Sequence, residues 1–358
     1  MAAERAAMIM AGGRGTRLWP LSRRDRPKQV LRLVTDRTLV EDMYARVAPL
    51  VPPSRVFVIA EEEILSRARP LLPHLPPENF IAEPAGRDTW PCCLWGTHVI
   101  AGRLGEEVTV WALAADQTAR DEEAFREALA AGAARAENGA VVTFGLPPTR
   151  AETGYGYLRA GEIVEAGPPR VRRGLSFTEK PDAATARAFV DSGKYLWNSG
   201  MFAWRADRLW EECEAHCADD HDTYCAMREA WAAGESEKVA ALYGRLARTS
   251  VDYALVEKLA AFEIVEMDCG WDDIGSFESL GRVLAADAAG NVGRGDVHFV
   301  EARENVVLAD GERPVVLIET EGLVVVDAGD VVLIYPQGCS QGVRRAVELM
   351  REEKADLV

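Results

Sequence analysis

The 358-residue sequence contains no apolar run approaching the roughly 18 uncharged residues that a membrane-spanning helix needs. Its seven cysteines, at positions 92, 93, 213, 217, 225, 269 and 339, form no even framework of the kind that staples small secreted domains. Reduced thiols are therefore expected. Positive charge is also scarce: 41 Lys and Arg stand against 57 Asp and Glu, a formal net charge of −16. That balance argues against broad binding to nucleic acid or to a membrane surface, both of which call for a cationic face. Glu4 and Arg5 interrupt the N-terminal stretch before it enters a glycine-rich loop. A removable secretory leader does not fit that pattern, and the cytoplasm is the expected compartment.

What is present suits a folded enzyme. Hydrophobic residues make up 48% and charged residues 27% of the chain, enough for two cored domains at this length. Apolar runs at 6–11, 56–60, 108–114 and 140–145 read as buried strands. Amphipathic stretches at 39–50, 91–104 and 122–137 alternate with them. That alternation predicts an α/β fold with a Rossmann-like, mostly parallel sheet. Further helices are expected over 182–192 and within 207–247. Near Ala285 the character changes. Short strands at 296–301, 305–309, 314–319, 322–326 and 330–335 are separated by Gly and Asp turns, and a helix over 341–353 closes the chain. The expected division is thus a catalytic domain over 1–286 and a small β domain over 287–358, whose short units could stack as a coil.

The strongest chemical signal runs from Met8 to Ser22, MIMAGGRGTRLWPLS. A strand delivers the chain to Gly12, Gly13 and Gly15, where backbone N–H groups can approach an anion closely. The loop lacks the Gly-Lys-Ser/Thr ending of a P-loop. It also has Leu18 where a dinucleotide fingerprint needs a third glycine, which sets aside a nicotinamide dehydrogenase. Six basic residues (Arg14, Arg17, Arg23, Arg24, Arg26 and Lys28) face one acid, Asp25, over this stretch. In so acidic a chain that local reversal suits a polyphosphate. Two carboxylates stand apart from it, Asp116 past the 108–114 run and Asp273 in a Cys-Gly-Trp-Asp-Asp-Ile-Gly-Ser segment. An aspartate at a strand end is ordinarily a turn or cap residue. Cys213, His216, Cys217, His221 and Cys225 crowd one helical stretch, but their spacing matches no usual zinc pattern, and buried thiols are the expected reading.

The GGRGTRL loop followed by Pro27-Lys28-Gln29 resembles the signature of sugar-nucleotide pyrophosphorylases, and Trp19-Pro20-Leu21-Ser22 resembles the mannose-1-phosphate guanylyltransferase variant of it. The resemblance implies transfer of GMP from GTP to mannose 1-phosphate, giving GDP-mannose and pyrophosphate. It implies that Ala11, Gly12, Gly13, Gly15 and Thr16 hold nucleotide phosphates, that Arg17 faces the departing pyrophosphate, and that Lys28 neutralises the phosphate under attack. It makes Asp116 and Asp273 the ligands of Mg2+, choosing Asp273 over Asp272 where sequence alone cannot. Glu83, Arg87 and Thr89, in a Glu-Pro-Ala-Gly-Arg-Asp-Thr segment, are placed near base and ribose, and Glu83 could accept the two adjacent N–H donors of guanine. Gly154, Tyr155 and Gly156 would line the nucleotide-sugar pocket. Glu179 and Asn198 would bind sugar hydroxyls and Lys180 the sugar phosphate. The small β domain would be a left-handed β-helix-like cap, with a homodimer as a possible assembly and no fused isomerase domain. Gln117, Asp88 and Trp90 depart from the family pattern, at points where sugar or base preference could differ. The alternatives are a nucleotidylyltransferase with another sugar or base, and a regulatory subunit that binds nucleotide sugars without turnover.

Overall fold

The structure, a computed structural model, describes residues 4–13 and 15–358; Arg14, counted above among the loop's basic residues, lies outside the described residues. The chain divides into two compact units. The first comprises Met1–Gly12, Met43–Ala115 and Ala119–Trp271, and the second Gly13–Asp42, Asp116–Thr118 and Asp272–Val358. The second unit therefore takes in the glycine loop beyond Gly12 as well as the C-terminal part.

The first strands are β1 (Arg5–Met10), β2 (Val56–Glu61), β3 (Phe80–Glu83) and β4 (Thr109–Ala114), followed by the two-residue β5 (Gln117–Thr118) of the second unit. Then come β6 (Val142–Leu146), β7 (Tyr157–Glu165), β8 (Val171–Thr178), β9 (Tyr195–Arg205) and β10 (Phe262–Glu266). The nine strands of the first unit form one sheet in the order β3-β2-β1-β4-β9-β6-β10-β8-β7. Strands β1 to β4 pair in parallel, as do β6 and β10. The antiparallel β9 lies between β4 and β6, and β8 and β7 close that edge antiparallel. The parallel half is the part whose strand–helix alternation is visible in the sequence.

Residues 6–10 of β1 are all buried, which is why this strand reads as an unbroken apolar run: helices cover both faces of a parallel sheet. The helix Thr89–Leu104 starts at Asp88, whose side chain accepts from Thr89 N, and lies close on β1. A methyl at Gly96 would meet Met8 Sδ at 2.2 Å, so only glycine allows that approach. The helices Ala206–His216, Ala218–Ala232 and Ser236–Tyr243 add Trp210, Tyr224 and Tyr243 to the same core. All seven cysteines are free thiols. Burial pushes the Cys213 thiol well up, and Cys217 Sγ donates to the Ala254 carbonyl at 3.0 Å. Among the described residues no helix is long and apolar enough to cross a membrane.

In the second unit β11 (Asp272–Asp273) pairs antiparallel with β5. The strands β12 (Val292–Arg294), β13 (Val297–Val300), β14 (Val306–Ala309), β15 (Val315–Ile318), β16 (Leu323–Asp327) and β17 (Val332–Pro336) follow. β12, β14 and β16 stack in parallel with Val292, Val306 and Val324 in line, β13 pairs in parallel with β15, and β17 ends the stack antiparallel. Such parallel rungs are the coil that short β units can make. Buried asparagines bind the rungs: Asn305 Nδ2 donates to Asn291 Oδ1 (2.9 Å), and Leu323 N donates to Asn305 Oδ1 (2.9 Å). The helix Gly342–Glu353 buries Val343 and Val347 in a core shared with Leu18, Trp19, Phe277 and Val306.

Candidate active site

Of the residues expected at the phosphates, Gly13, Gly15, Thr16, Arg17 and Lys28 belong to the second unit together with Asp116 and Asp273. Gly13 and Gly15 have φ of 93° and 59°, in the left-handed region. At Gly15 space is closed as well, because a methyl there would lie 2.6 Å from Lys28 Cβ and 2.9 Å from Ser22 Oγ. The loop can therefore rest on Lys28 only through glycine. Gln29 Nε2 ties it down further by donating to the Gly13 carbonyl (2.9 Å). Thr16 and Arg17 lie in a short helical turn, Thr16–Leu18. Lys28 is 6% exposed, and its Nζ sits 2.7 Å from Asp116 Oδ2.

The β5–β11 ribbon brings the two expected metal ligands close in the fold, Asp116 just before β5 and Asp273 on β11. Gln117 stands opposite Asp273, and the Asp116 carbonyl accepts from Ile274 N at 3.0 Å. The structure also separates the adjacent aspartates. Asp272 is buried in a two-pronged ion pair with Arg282, 2.8 Å on each prong. Asp273 instead turns toward Gly275, where a methyl would lie 3.1 Å from Asp273 Oδ2 and 3.1 Å from Arg17 Nη2. Two carboxylates are the hard oxygen donors that a small divalent cation takes along with substrate phosphates, so the residues present fit such an ion.

The basic cluster is smaller than its sequence suggests. Arg23 is paired with Asp330 and Arg26 with Asp310 (2.8 Å), both acids at turns of the stacked strands. These two arginines fasten the loop to its own unit, because their side chains meet carboxylates that lie far along the chain. Arg17 and Lys28 stay beside the aspartates.

The residues expected at the base and the sugar belong to the first unit, as do Ala11 and Gly12 of the expected phosphate loop. Ala11 is buried and donates its N–H to the Ile59 carbonyl (2.9 Å), so its part is to shape the turn before Gly12. Glu83 ends β3, 7% exposed, and accepts from the Tyr243 hydroxyl at 2.6 Å. Burial, aided by the Glu61 charge, pushes its carboxyl up to about 7 against the pull of the Tyr243 and Cys92 hydrogen bonds. Arg87 donates to the Leu246 carbonyl (2.9 Å) and Thr89 Oγ1 accepts from Val251 N (2.9 Å), so both hold the connecting segment at 246–251.

Next to that segment the sugar-side residues come together. Lys180 Nζ lies 2.7 Å from Glu179 Oε1. A methyl at Gly156 would stand 2.6 Å from Glu179 Oε2 and 2.7 Å from the Phe177 ring, so glycine leaves both side chains their places. Asn198 Nδ2 donates to Asp252 Oδ1 (2.6 Å), while Thr143 Oγ1 donates to Asn198 Oδ1 (2.9 Å), so the amide is held in one orientation. Burial and then the Glu179 charge raise the Asp252 carboxyl to about 6. Gly154 N donates to Glu152 Oε1 (3.0 Å), and Tyr155 packs edge-on against Trp197 and Trp271. Asp252 and Tyr243 were not among the residues the sequence pointed to. Each carries a single ordinary residue type in a helical stretch, and the one local cue is Ser250, which caps the short helix bearing Asp252.

A family profile described as Nucleotidyl transferase matches residues 6–290, a span that holds every candidate site residue, and the class is that of nucleotidyltransferases. The xanthan biosynthesis protein XanB of Xanthomonas campestris pv. campestris is 38% identical over 96% of this chain and 73% of its own. The mannose-1-phosphate guanylyltransferase of Escherichia coli K12 is 38% identical over 97% of this chain and 73% of its own. A solved structure from Thermus thermophilus, described as a mannose-1-phosphate geranyltransferase, aligns with a TM-score of 0.88 at 38% identity, covering 97% of this chain and 99% of that one. The chain belongs to the nucleotidyl transferase family, and within it to the mannose-1-phosphate guanylyltransferases.

Proposed function

We propose that this protein transfers GMP from GTP to mannose 1-phosphate, releasing pyrophosphate and GDP-mannose. The observation that carries the reading is the buried Lys28 paired with Asp116, beside a strand that bears Asp273. In a chain of net charge −16, this is a cation withdrawn from water and two carboxylates gathered next to a glycine loop.

The sugar phosphate has a second pKa of about 6 and is largely dianionic at neutral pH, so it needs no general base. Its oxygen attacks the α-phosphorus in line and pyrophosphate leaves, with no covalent enzyme intermediate. The obstacle is repulsion between two polyanions, which fixed positive groups overcome. In this assignment Gly12, Gly13, Gly15 and Thr16 receive nucleotide phosphates, Arg17 meets the pyrophosphate, and Lys28 faces the α-phosphate. Glu83 reads the base, with Arg87 and Thr89 shaping its surroundings. Gly154, Tyr155, Gly156, Glu179 and Asn198 receive the sugar, and Lys180 its phosphate. Mg2+ is the proposed metal, held by Asp116 and Asp273, and supplies positive charge to the phosphate oxygens.

The proposal extends to a cytoplasmic enzyme acting as a homodimer, with its chemistry in residues 1–286 and a small β domain in 287–358. A pyrophosphate-release screen of each nucleoside triphosphate against a panel of sugar 1-phosphates, with Mg2+, tests it. GTP with mannose 1-phosphate is the expected productive pair. Product from UTP or dTTP but not from GTP overturns the base assignment.

A further inference from the structure

Glu83 is an unusual acid to bury. The groups that act on it are the Tyr243 hydroxyl at the end of helix Ser236–Tyr243, the Cys92 thiol on helix Thr89–Leu104, and the Glu61 carboxylate at the end of β2. The Glu83 charge also acts on the buried Cys93 thiol. None of these is a cation. A carboxylate withdrawn from water without a positive partner is disfavoured unless donors arrive from elsewhere. Tyr243, itself fully buried, supplies one donor to Oε1. The other oxygen, Oε2, lies over the start of the glycine loop, 3.8 Å from where a methyl on Gly12 would stand.

We propose that Tyr243 is the positioning residue of base selection: its hydroxyl holds Glu83 by Oε1, so that the carboxylate edge over Gly12 is presented to a purine with two adjacent N–H donors. The inference rests on the guanylyltransferase reading and names the residue that makes its base preference. Guanine offers a ring N–H and an exocyclic amine side by side. A carboxylate accepts both, whereas a protonated carboxyl offers a donor in place of one acceptor and mismatches the pair. Tyr243 acts twice: it fixes the rotation of the carboxylate, and by donating to it favours the ionised form.

The test is steady-state kinetics of the full-length enzyme and of Tyr243→Phe between pH 6 and 9, with GTP, ITP and ATP as nucleotides and mannose 1-phosphate as acceptor. ITP keeps the ring N–H and lacks the amine. For Tyr243→Phe the KM for GTP at pH 7 is expected to rise about tenfold or more, since a buried acceptor loses its donor. The KM for mannose 1-phosphate should stay within about twofold, since the Tyr243 hydroxyl donates to Glu83, which the reading places at the base. The rise in GTP KM should shrink toward pH 9, because loss of the hydroxyl moves the Glu83 titration upward, and the preference for GTP over ITP should fall. Glu83→Gln, which carries no charge to titrate, should give a GTP KM that is high and flat with pH. A Tyr243→Phe enzyme with the wild-type pH profile and the wild-type GTP-to-ITP ratio defeats the proposal while leaving the guanylyltransferase reading intact. So does an equal loss for both substrates. A wild-type enzyme that uses a pyrimidine triphosphate in place of GTP defeats the reading and the proposal together.

Discussion

Lys28 and Asp116, 88 residues apart in the chain, meet at 2.7 Å, with the lysine nearly sealed from water and the aspartate half-open. Removing either partner has a different cost. Lys28→Ala leaves Asp116 able to reach solvent, so the fold should hold within about 1 kcal/mol while turnover drops at least about 100-fold. Asp116→Ala strands a buried ammonium, so the same loss of turnover should come with about 2 kcal/mol or more of destabilisation. Thermal melts alongside pyrophosphate release check both. Near-normal turnover in either variant would sink the phosphate-side assignment.

Asp272 and Asp273 are neighbours with separate work. Asp272→Asn breaks a buried two-pronged pair with Arg282 and should lower stability by about 2–3 kcal/mol, with a modest effect on kcat. Asp273→Asn should leave the melting temperature close to that of the parent, cut turnover about 100-fold, and raise the Mg2+ concentration needed for half-maximal rate. A Mg2+ titration of the two variants distinguishes them. Identical behaviour would contradict the split.

A methyl added at position 156 would stand 2.6 Å from the Glu179 carboxylate and 2.7 Å from the Phe177 ring. Gly156→Ala should push that carboxylate away and raise the KM for mannose 1-phosphate about tenfold, with the KM for GTP little changed. Initial rates with each substrate varied in turn read this directly.

Asp252 gives a pH signature with a definite sign. Its carboxyl is raised from an ordinary 3.8 to about 6 by burial and then by the Glu179 charge, so the folded protein holds this proton more tightly than the unfolded chain. Stability from this group is present below about pH 4 and is lost as pH climbs through about 6, a difference on the order of 2 kcal/mol. Asp252→Asn should therefore flatten the fall in melting temperature between pH 4 and pH 7 relative to the parent. Parallel curves for the two proteins would show that Asp252 titrates normally.

The parallel half of the sheet was legible because strands covered on both faces have to be written in continuous apolar residues, as in β1 and β4. Strands β7 and β8 were not, since their mixed exposure leaves neither an apolar run nor a clean alternation. The glycine loop and its cluster of basic residues stand out from residue types and order alone, whereas the roles of Lys28, Asp116 and Asp273 came only with the family resemblance. The roles of Arg23 and Arg26 could not be read there, because the acids that hold them appear some 300 residues later in the chain. Tyr243 and Glu83 are likewise 160 residues apart, and nothing local to either announces the other.

In the stacked strands, Val292, Val306 and Val324 keep their alignment although unequal lengths of chain join them. Which residue meets which is set by the ladder and its asparagines, not by the connecting turns. Those turns can therefore lengthen or shorten as the protein diverges, or accept an inserted tag, with little effect on the rungs, whereas a change at Asn305 would be felt by the rungs on either side of it.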